Sequence, residues 1–127
     1  MDYRARRAAR LQLANAYIEK ISEHGRGFFK HDNRITHFVV CRRTGRLKII
    51  DKYSQRWVDI AKKGRWHGFS DGGTLRNVIE CLADFIRGRR NIPEFSYRYW
   101  GYTEGEMRAL DEALAPIIEA SKNNLHQ

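Results

Sequence analysis

The sequence predicts an α+β fold: a four-stranded antiparallel meander with helices packed on one of its faces, in the order αββββαα. Apolar residues recur at three- and four-residue steps near the start of the chain, after its midpoint and near its end, and this spacing is typical of amphipathic helices. Between the first two of these segments lie four short runs rich in aromatic and β-branched residues, separated only by turns. Connections that short join antiparallel strands. A length of 127 residues is that of a single domain.

Four segments divide the predicted domain. Residues 1–24 form the N-terminal helix, 25–67 a basic sheet, 68–90 the central helix, and 91–127 an aromatic connection followed by the C-terminal helix. The first helix ends at Gly25, because glycine readily adopts the left-handed conformation that terminates helices. Its apolar stripe consists of Leu11, Ala14, Ile18 and Ile21.

The strands are predicted at 28–31, 35–41, 47–51 and 57–61. Successive side chains of a strand point to opposite faces. In the third strand Leu47 and Ile49 therefore share one face, and Arg46, Lys48 and Ile50 share the other. We expect helices to cover the first face and the second to be basic and partly apolar.

The central helix has the clearest apolar stripe in the chain. Asp71 or Thr74 is its candidate N-cap, since either side chain can accept a hydrogen bond from the first turn. Gly88 should end it, and the arginines around that glycine favour the negative end of the helix dipole. The stripe consists of Leu75, Val78, Ile79, Leu82, Phe85 and Ile86.

The last helix opens with a capping box. Thr103 and Glu106 have the three-residue spacing at which each side chain bonds the backbone N–H of the other. Pro116 should kink this helix, because proline lacks the N–H that the helix needs. The tail from Ser121 onward is expected to be loose.

Positive charge is concentrated in the sheet segment. The chain has 24 Lys and Arg against 15 Asp and Glu, a formal net charge of +9, and residues 25–67 alone hold twelve bases against three acids. Aromatic residues interleave with these bases, and a surface of cations and planar rings suits the phosphates and bases of a nucleic acid. We therefore predict a non-catalytic nucleic-acid-binding protein, DNA or RNA, with Tyr53 or Trp57 as the stacking surface. The predicted phosphate contacts are Arg42, Arg43, Arg46, Lys48, Lys52, Arg56, Lys62, Lys63 and Arg65.

A second group of bases lies near the start of the chain. The first turns of the N-terminal helix carry Arg4, Arg6, Arg7 and Arg10, where the helix dipole is unfavourable for cations. They indicate either a solvated, frayed helix end or an arm that contacts phosphates, and the sequence favours neither.

One block of the sequence resembles a known group of proteins. Residues 64–76 read GRWHGFSDGGTLR and are preceded by Ile50-Asp51-Lys52-Tyr53. This pattern resembles one found in small bacteriophage and mobile-element proteins, and the resemblance extends over residues 25–90. It implies no reaction and no ligand. It implies the functions common among such small proteins, which are nucleic-acid binding and inhibition of a host defence or regulatory complex.

The same block contains a candidate anion site. Gly72, Gly73 and Thr74 precede or open the central helix, where exposed backbone N–H groups can bind an anion. The alternative is that the two glycines only turn the chain from the sheet onto the helix, and we favour that alternative. The spacing is not that of a P-loop or a dinucleotide-binding turn.

A catalytic alternative centres on two residues of this block. His67 and Asp71 could form a metal-dependent nuclease or hydrolase site. The sequence contains neither HExxH nor CxxC spacing, so we predict no catalytic residue, no metal ligand and no cofactor.

The aromatic connection has two interpretations. Tyr97, Tyr99 and Trp100 could close one end of the core, or they could form a protein interface, where exposed Tyr and Trp are common. A phage-encoded inhibitor or adaptor would use this patch, or would use the positive face against an acidic partner.

Composition also predicts the compartment. No apolar run is long enough to span a membrane, and the two cysteines, Cys41 and Cys81, lie in apolar runs without metal-binding spacing. We therefore expect reduced, structural thiols in a cytoplasmic protein that does not bind membranes.

Overall fold

The computed structural model describes residues 3–60, 66–95 and 97–125 and has the predicted α+β class. None of the helices in these ranges combines the length and the apolar character needed to cross a bilayer. In chain order the elements are α1 (Tyr3–Glu23), β1 (Lys30–His31), β2 (Arg34–Ile35), β3 (His37–Val40), β4 (Leu47–Ile50), β5 (Trp57–Asp59), α2 (Gly73–Ile86), a 3₁₀ turn (Arg98–Trp100) and α3 (Glu104–Leu125).

The strands form two small sheets, so the predicted four-stranded meander is wrong. β1 and β2 make an antiparallel hairpin, and β3, β4 and β5 make a separate antiparallel sheet in that order. Phe29 has a φ of 67°, which ends the extended conformation inside the predicted first strand. Thr36, which is fully buried, separates β2 from β3 and donates its backbone N–H to the Phe29 carbonyl at 2.9 Å.

Helix α1 occupies the edge of β3 where a fourth strand would pair. Asn15 Nδ2 donates to the Phe38 carbonyl oxygen at 3.0 Å, and the Phe38 N–H donates to Asn15 Oδ1 at 2.6 Å. The Asn15 amide thus uses the backbone donor and acceptor that a neighbouring strand would use. A side chain of the first helix therefore limits the sheet to three strands.

The core lies between this sheet and the helices. Leu47 and Ile49 are buried, whereas Lys48 and Ile50 on the other face are only partly buried, which confirms the predicted sorting of β4. Helix α1 contacts β3 and also packs against both α2 and α3. One sheet face is therefore covered and the other stays open.

Glycines end the first two helices as predicted. Gly25 has a φ of 62°, and a Cβ there would lie 2.3 Å from the Tyr102 ring, so no other residue fits. Gly88, at φ 80°, donates its N–H to the Phe85 carbonyl at 2.9 Å. The Arg89 N–H then reaches the Asp84 carbonyl at 2.9 Å, which completes the usual C-terminal pattern.

Helix α3 begins as predicted and ends later. The Thr103 N–H donates to Glu106 Oε1 at 2.9 Å, and the Glu106 N–H donates to Thr103 Oγ1 at 3.1 Å, so the capping box is confirmed. The helix continues through Pro116 and on to Leu125, so the predicted loose tail from Ser121 is wrong up to that residue. Ser121 is buried, and its hydroxyl donates to the Ile118 carbonyl at 2.6 Å.

Candidate nucleic-acid interface

The block that resembles phage proteins is held by a buried carboxylate. Asp51 Oδ2 accepts hydrogen bonds from the Ser70 hydroxyl at 2.7 Å and from the Ser54 hydroxyl at 3.0 Å. The backbone N–H groups of both serines also donate to this carboxylate. Burial alone would raise the pKa of Asp51, but these hydrogen bonds outweigh it and the pKa lies below its ordinary value. Asp51 thereby fastens the turn after β4 to the segment before α2.

The adjacent residues form a buried ion pair. Lys52 is only 2 % exposed, and its ammonium group pairs with the carboxylate of Asp71. The rings of Phe29 and Tyr53 lie 5.3 and 5.2 Å from Lys52 Nζ. A lysine in this position cannot reach a phosphate, so the predicted phosphate contact at Lys52 does not fit the structure.

The rest of the block packs against α2. Trp66 Nε1 donates to Glu80 Oε1 at 2.8 Å, and Arg76 Nη1 donates to the Trp66 carbonyl at 2.6 Å. The Arg76 guanidinium also lies 4.7 Å from the centre of the Trp66 ring. Together with the ion pair, these contacts support the structural interpretation of the block.

The start of α2 differs from both capping predictions. Its N-cap is Gly72, which has no side chain to accept a hydrogen bond, and the Asp71 carboxylate pairs with Lys52. Gly72, Gly73 and Thr74 are exposed, and the neighbouring Asp71 carboxylate is paired with Lys52, so the anion site at these residues stays a prediction. His67 is exposed, and within the described ranges no group of three or more His, Cys, Asp or Glu residues is arranged to hold a metal.

The open face of the sheet carries one lysine and one acid, so it is less basic than predicted. Its two cross-strand rows are His37, Ile50 and Trp57, and Val39, Lys48 and Asp59. Trp57 is 54 % exposed, as a stacking surface requires. Lys48 Nζ lies 3.7 Å from an Asp59 carboxylate oxygen and 5.7 Å from the Trp57 ring. Much of the charge predicted for this face is therefore neutralised locally.

The remaining predicted contacts lie at two opposite ends of the sheet. Arg42, Arg43 and Arg46 are exposed in the turn between β3 and β4, whereas Arg56 is exposed in the turn between β4 and β5. Successive turns of an antiparallel meander lie at opposite ends. Tyr53 is exposed beside Arg56, with its ring centre 4.3 Å from that of His31. Lys62, Lys63 and Arg65 lie outside the described residues.

Three arginine-rich segments meet at the turn between β3 and β4. Arg7 of α1 donates from Nη1 to the Gly45 carbonyl of this turn at 3.2 Å. Arg10 donates from Nε to the Ile86 carbonyl at the end of α2, at 2.9 Å. We name the surface formed by 3–10, 41–46 and 86–90 the arginine end. Its ten arginines are Arg4, Arg6, Arg7, Arg10, Arg42, Arg43, Arg46, Arg87, Arg89 and Arg90.

Acidic residues are missing from these three segments, which contain no Asp or Glu. Arg10 is 3 % exposed, and among the described residues no carboxylate pairs with it. Burial lowers its pKa, and the nearby Arg6 and Arg7 lower the pKa further, although Tyr3 acts the other way. The Ile86 carbonyl and the negative end of the α2 dipole are its stabilising partners. Asp84, just before the third segment, lies 3.9 Å from Arg87, but most of the other arginines are exposed, so the arginine end is a positive surface.

Sequence reasoning found only part of this surface. It predicted phosphate contacts at Arg42, Arg43 and Arg46. It did not decide whether the arginines of α1 contact phosphates, and it gave those after α2 only a favourable interaction with the helix dipole. The available signal was the absence of acids from all three arginine-rich segments. Their meeting depends on tertiary packing, which periodicity does not reveal.

The aromatic connection is mostly core. Tyr97 is buried, and its hydroxyl lies 2.5 Å from that of Tyr17. Trp100 is half-buried and packs edge-on against Phe28 and Tyr97. Tyr99 is 88 % exposed. Of the three residues predicted as a protein interface, only Tyr99 is fully on the surface.

A family model described as YoqU matches residues 5–115 of the chain. The protein belongs to the YoqU family. This family is of Bacillus phage type, which confirms the resemblance to small phage proteins at the level of the family. That the block 64–76 carries the likeness stays a prediction. No curated protein and no solved structure matches this YoqU-family chain.

Proposed function

We propose that this YoqU-family protein binds nucleic acid through the arginine end. The observation that carries the proposal is the meeting of three arginine-rich segments without a single acidic residue among them. Guanidinium groups suit phosphates because they form two parallel hydrogen bonds and remain charged at every physiological pH. Unlike Lys52 and Lys48, the exposed Arg42, Arg43 and Arg46 have no carboxylate partner among the described residues.

The open face of the sheet adds to the arginine end a side chain on which a nucleobase could stack. Trp57 pairs with Ile50 at the far end of β4, four residues and about 13 Å along the strand from Arg46. A single strand held at the arginine end could therefore cross the sheet and stack a base on Trp57. Residues Cys41 and Cys81 are free thiols, which fits a reducing cytoplasm as the place of this activity.

Salt dependence tests the proposal. Labelled single- and double-stranded oligonucleotides, both DNA and RNA, are titrated with protein at several salt concentrations. Affinity should fall steeply with salt, because each neutralised phosphate releases counterions. The pair Arg42→Gln and Arg43→Gln should weaken all sequences about equally and reduce the slope of log affinity against log salt by about two.

A matched pair supplies the control. Arg98→Gln and Arg108→Gln remove the same charge from exposed positions elsewhere on the surface. This pair should leave the salt slope nearly unchanged. Absence of binding at about 50 mM salt, or equal effects of the two pairs, would contradict the proposal.

A second function, a phage inhibitor or adaptor that binds a host protein complex, is favoured by one observation. Tyr99 is 88 % exposed and lines a groove of ≈ 320 Å³ together with Val78, Phe95 and Trp100. Large exposed rings are common at the centres of protein interfaces. If this function is correct, a partner retained from a nuclease-treated bacterial lysate should be lost with Tyr99→Ala and kept with Arg42→Gln.

A further inference from the structure

A cleft opens within the arginine end. It lies between the start of α1, the turn between β3 and β4, and the end of α2, and its volume is ≈ 400 Å³. Leu47, Ile60 and Ile86 contribute apolar side chains to its lining. The polar side chains that line it are Tyr3, Arg7, Thr44, Arg46, Asp59 and Arg87.

Two of the three cleft arginines are held in place by backbone carbonyls. Arg7 Nη1 donates to the Gly45 carbonyl at 3.2 Å, and Arg87 Nη2 donates to the Ile60 carbonyl at 2.6 Å. A guanidinium has five N–H donors, so each of these arginines keeps further donors for a ligand. Because the groups are already oriented, a bound anion would cost little side-chain entropy.

The charge of the cleft points to an anion with more than one negative charge. Three arginines and one carboxylate, that of Asp59, line the cleft; Asp59 already lies 3.7 Å from Lys48 Nζ, and Asp84 outside the lining lies 3.9 Å from Arg87 Nη1. Arg10 lies directly behind the cleft, buried and bonded to the Ile86 carbonyl. A phosphate monoester carries a charge of about −1.5 to −2 at neutral pH, whereas a phosphodiester carries one negative charge. Such a cluster of guanidiniums therefore favours the monoester.

The size and the walls of the cleft indicate what the monoester is attached to. A volume of ≈ 400 Å³ is near the lower limit for small-molecule sites, too small for a duplex and suited to one nucleotide. Tyr3, 52 % exposed, offers a ring on which a base can stack. The carboxylate of Asp59 can accept hydrogen bonds from a sugar hydroxyl or a base amino group.

Building on the proposed nucleic-acid binding, we propose that this cleft binds the terminal nucleotide of a single strand, with the terminal phosphate held by Arg7, Arg46 and Arg87. The internal phosphates of the same strand would contact the exposed arginines around the cleft. Recognition of a strand end is thereby added to a surface that otherwise binds any phosphodiester.

Four probes of one sequence test this proposal. They are a short single strand with a terminal phosphate, the same strand with hydroxyl ends, the same strand closed into a circle, and adenosine monophosphate alone. The phosphorylated end should bind wild-type protein about tenfold more tightly than the hydroxyl end, as expected for added hydrogen bonds to a charged group. The circle should bind like the hydroxyl-ended strand.

Two arginines of the same turn give matched variants. Arg46 and Arg43 are both exposed, but only Arg46 lines the cleft. Arg46→Gln and Arg43→Gln should weaken binding of the circle equally, and only Arg46→Gln should abolish the preference for the phosphorylated end. Tyr3→Ala, at an exposed ring, should reduce the same preference, so the test does not depend on one variant.

The outcomes separate this inference from the proposed function. Binding of the circle without any preference for a phosphorylated end would overturn end recognition and leave nucleic-acid binding intact. Equal affinity for adenosine monophosphate and for the phosphorylated strand would assign the cleft to a free nucleotide and overturn the strand-end proposal. Failure of every strand and circle to bind would overturn both.

Discussion

Two regions of this molecule concentrate charge, and they use it in opposite ways. Around Asp51 and Lys52 the charged groups are buried and each has protein partners, the serine hydrogen bonds for Asp51 and the Asp71 carboxylate for Lys52. At the arginine end Arg7 and Arg10 are anchored by backbone carbonyls, the three segments contain no acid, and Asp84 just outside them lies 3.9 Å from Arg87. The difference indicates that a basic stretch of sequence gives a positively charged surface only where most of its acidic partners lie elsewhere.

The largest expected effect comes from breaking the buried pair. Lys52→Ala leaves the Asp71 carboxylate buried without its partner, so the free energy of unfolding should fall by about 3–5 kcal/mol. Lys48→Ala breaks the more exposed pair with Asp59 and should cost about 0–1 kcal/mol through that pair. Urea denaturation of both variants measures the difference. Equal losses would show that Lys52 is not the structural cation described above.

The Asp51 hydrogen bonds should appear in the acid stability. The pKa of Asp51 is lowered in the folded state, so its contribution is present above the unfolded pKa of about 3.9 and is lost as the pH falls through the folded pKa. Ser70→Ala removes one hydroxyl donor and should cost about 1.5–3 kcal/mol at neutral pH. The cost should shrink below pH 4 or so. A cost that does not change with pH would contradict this role of Ser70.

The smallest expected effect concerns the two thiols, since Cys41 is partly exposed and Cys81 is buried. Hydrogen bonds from the Thr44 hydroxyl and from backbone N–H groups lower the pKa of Cys41 to about 7, whereas burial raises that of Cys81. Alkylation of Cys41 should therefore increase with pH around a midpoint of about 7. Thr44→Val should move that midpoint upward. Rapid alkylation of Cys81 in the folded protein would contradict its burial.

Local patterns allowed much of the fold to be predicted. The alternation of Leu47 and Ile49, the stripe of α2 and the capping box at Thr103 depend on residues within a few positions of each other, and the structure confirms all three. The sheet was predicted wrongly because Asn15, 23 residues before Phe38, blocks the edge of β3.

The candidate site was harder to predict, because it too depends on contacts between residues that are far apart in the sequence. Lys52 is removed from the surface by Asp71, 19 residues later, and the arginine end depends on contacts of α1 with Gly45 and Ile86. Partners at such separations are chosen by packing. The sequence therefore indicated a basic protein and not which bases remain accessible.

The most direct test of the central claim is a map of the surface that nucleic acid contacts. Backbone amide signals of isotope-labelled protein are followed by nuclear magnetic resonance while a short single strand is added at low salt. The proposal predicts the largest shifts in all three segments of the arginine end, 3–10, 41–46 and 86–90, with smaller shifts around Trp57. Shifts centred on Tyr99 and Trp100, or binding that leaves the three segments unchanged, would contradict it.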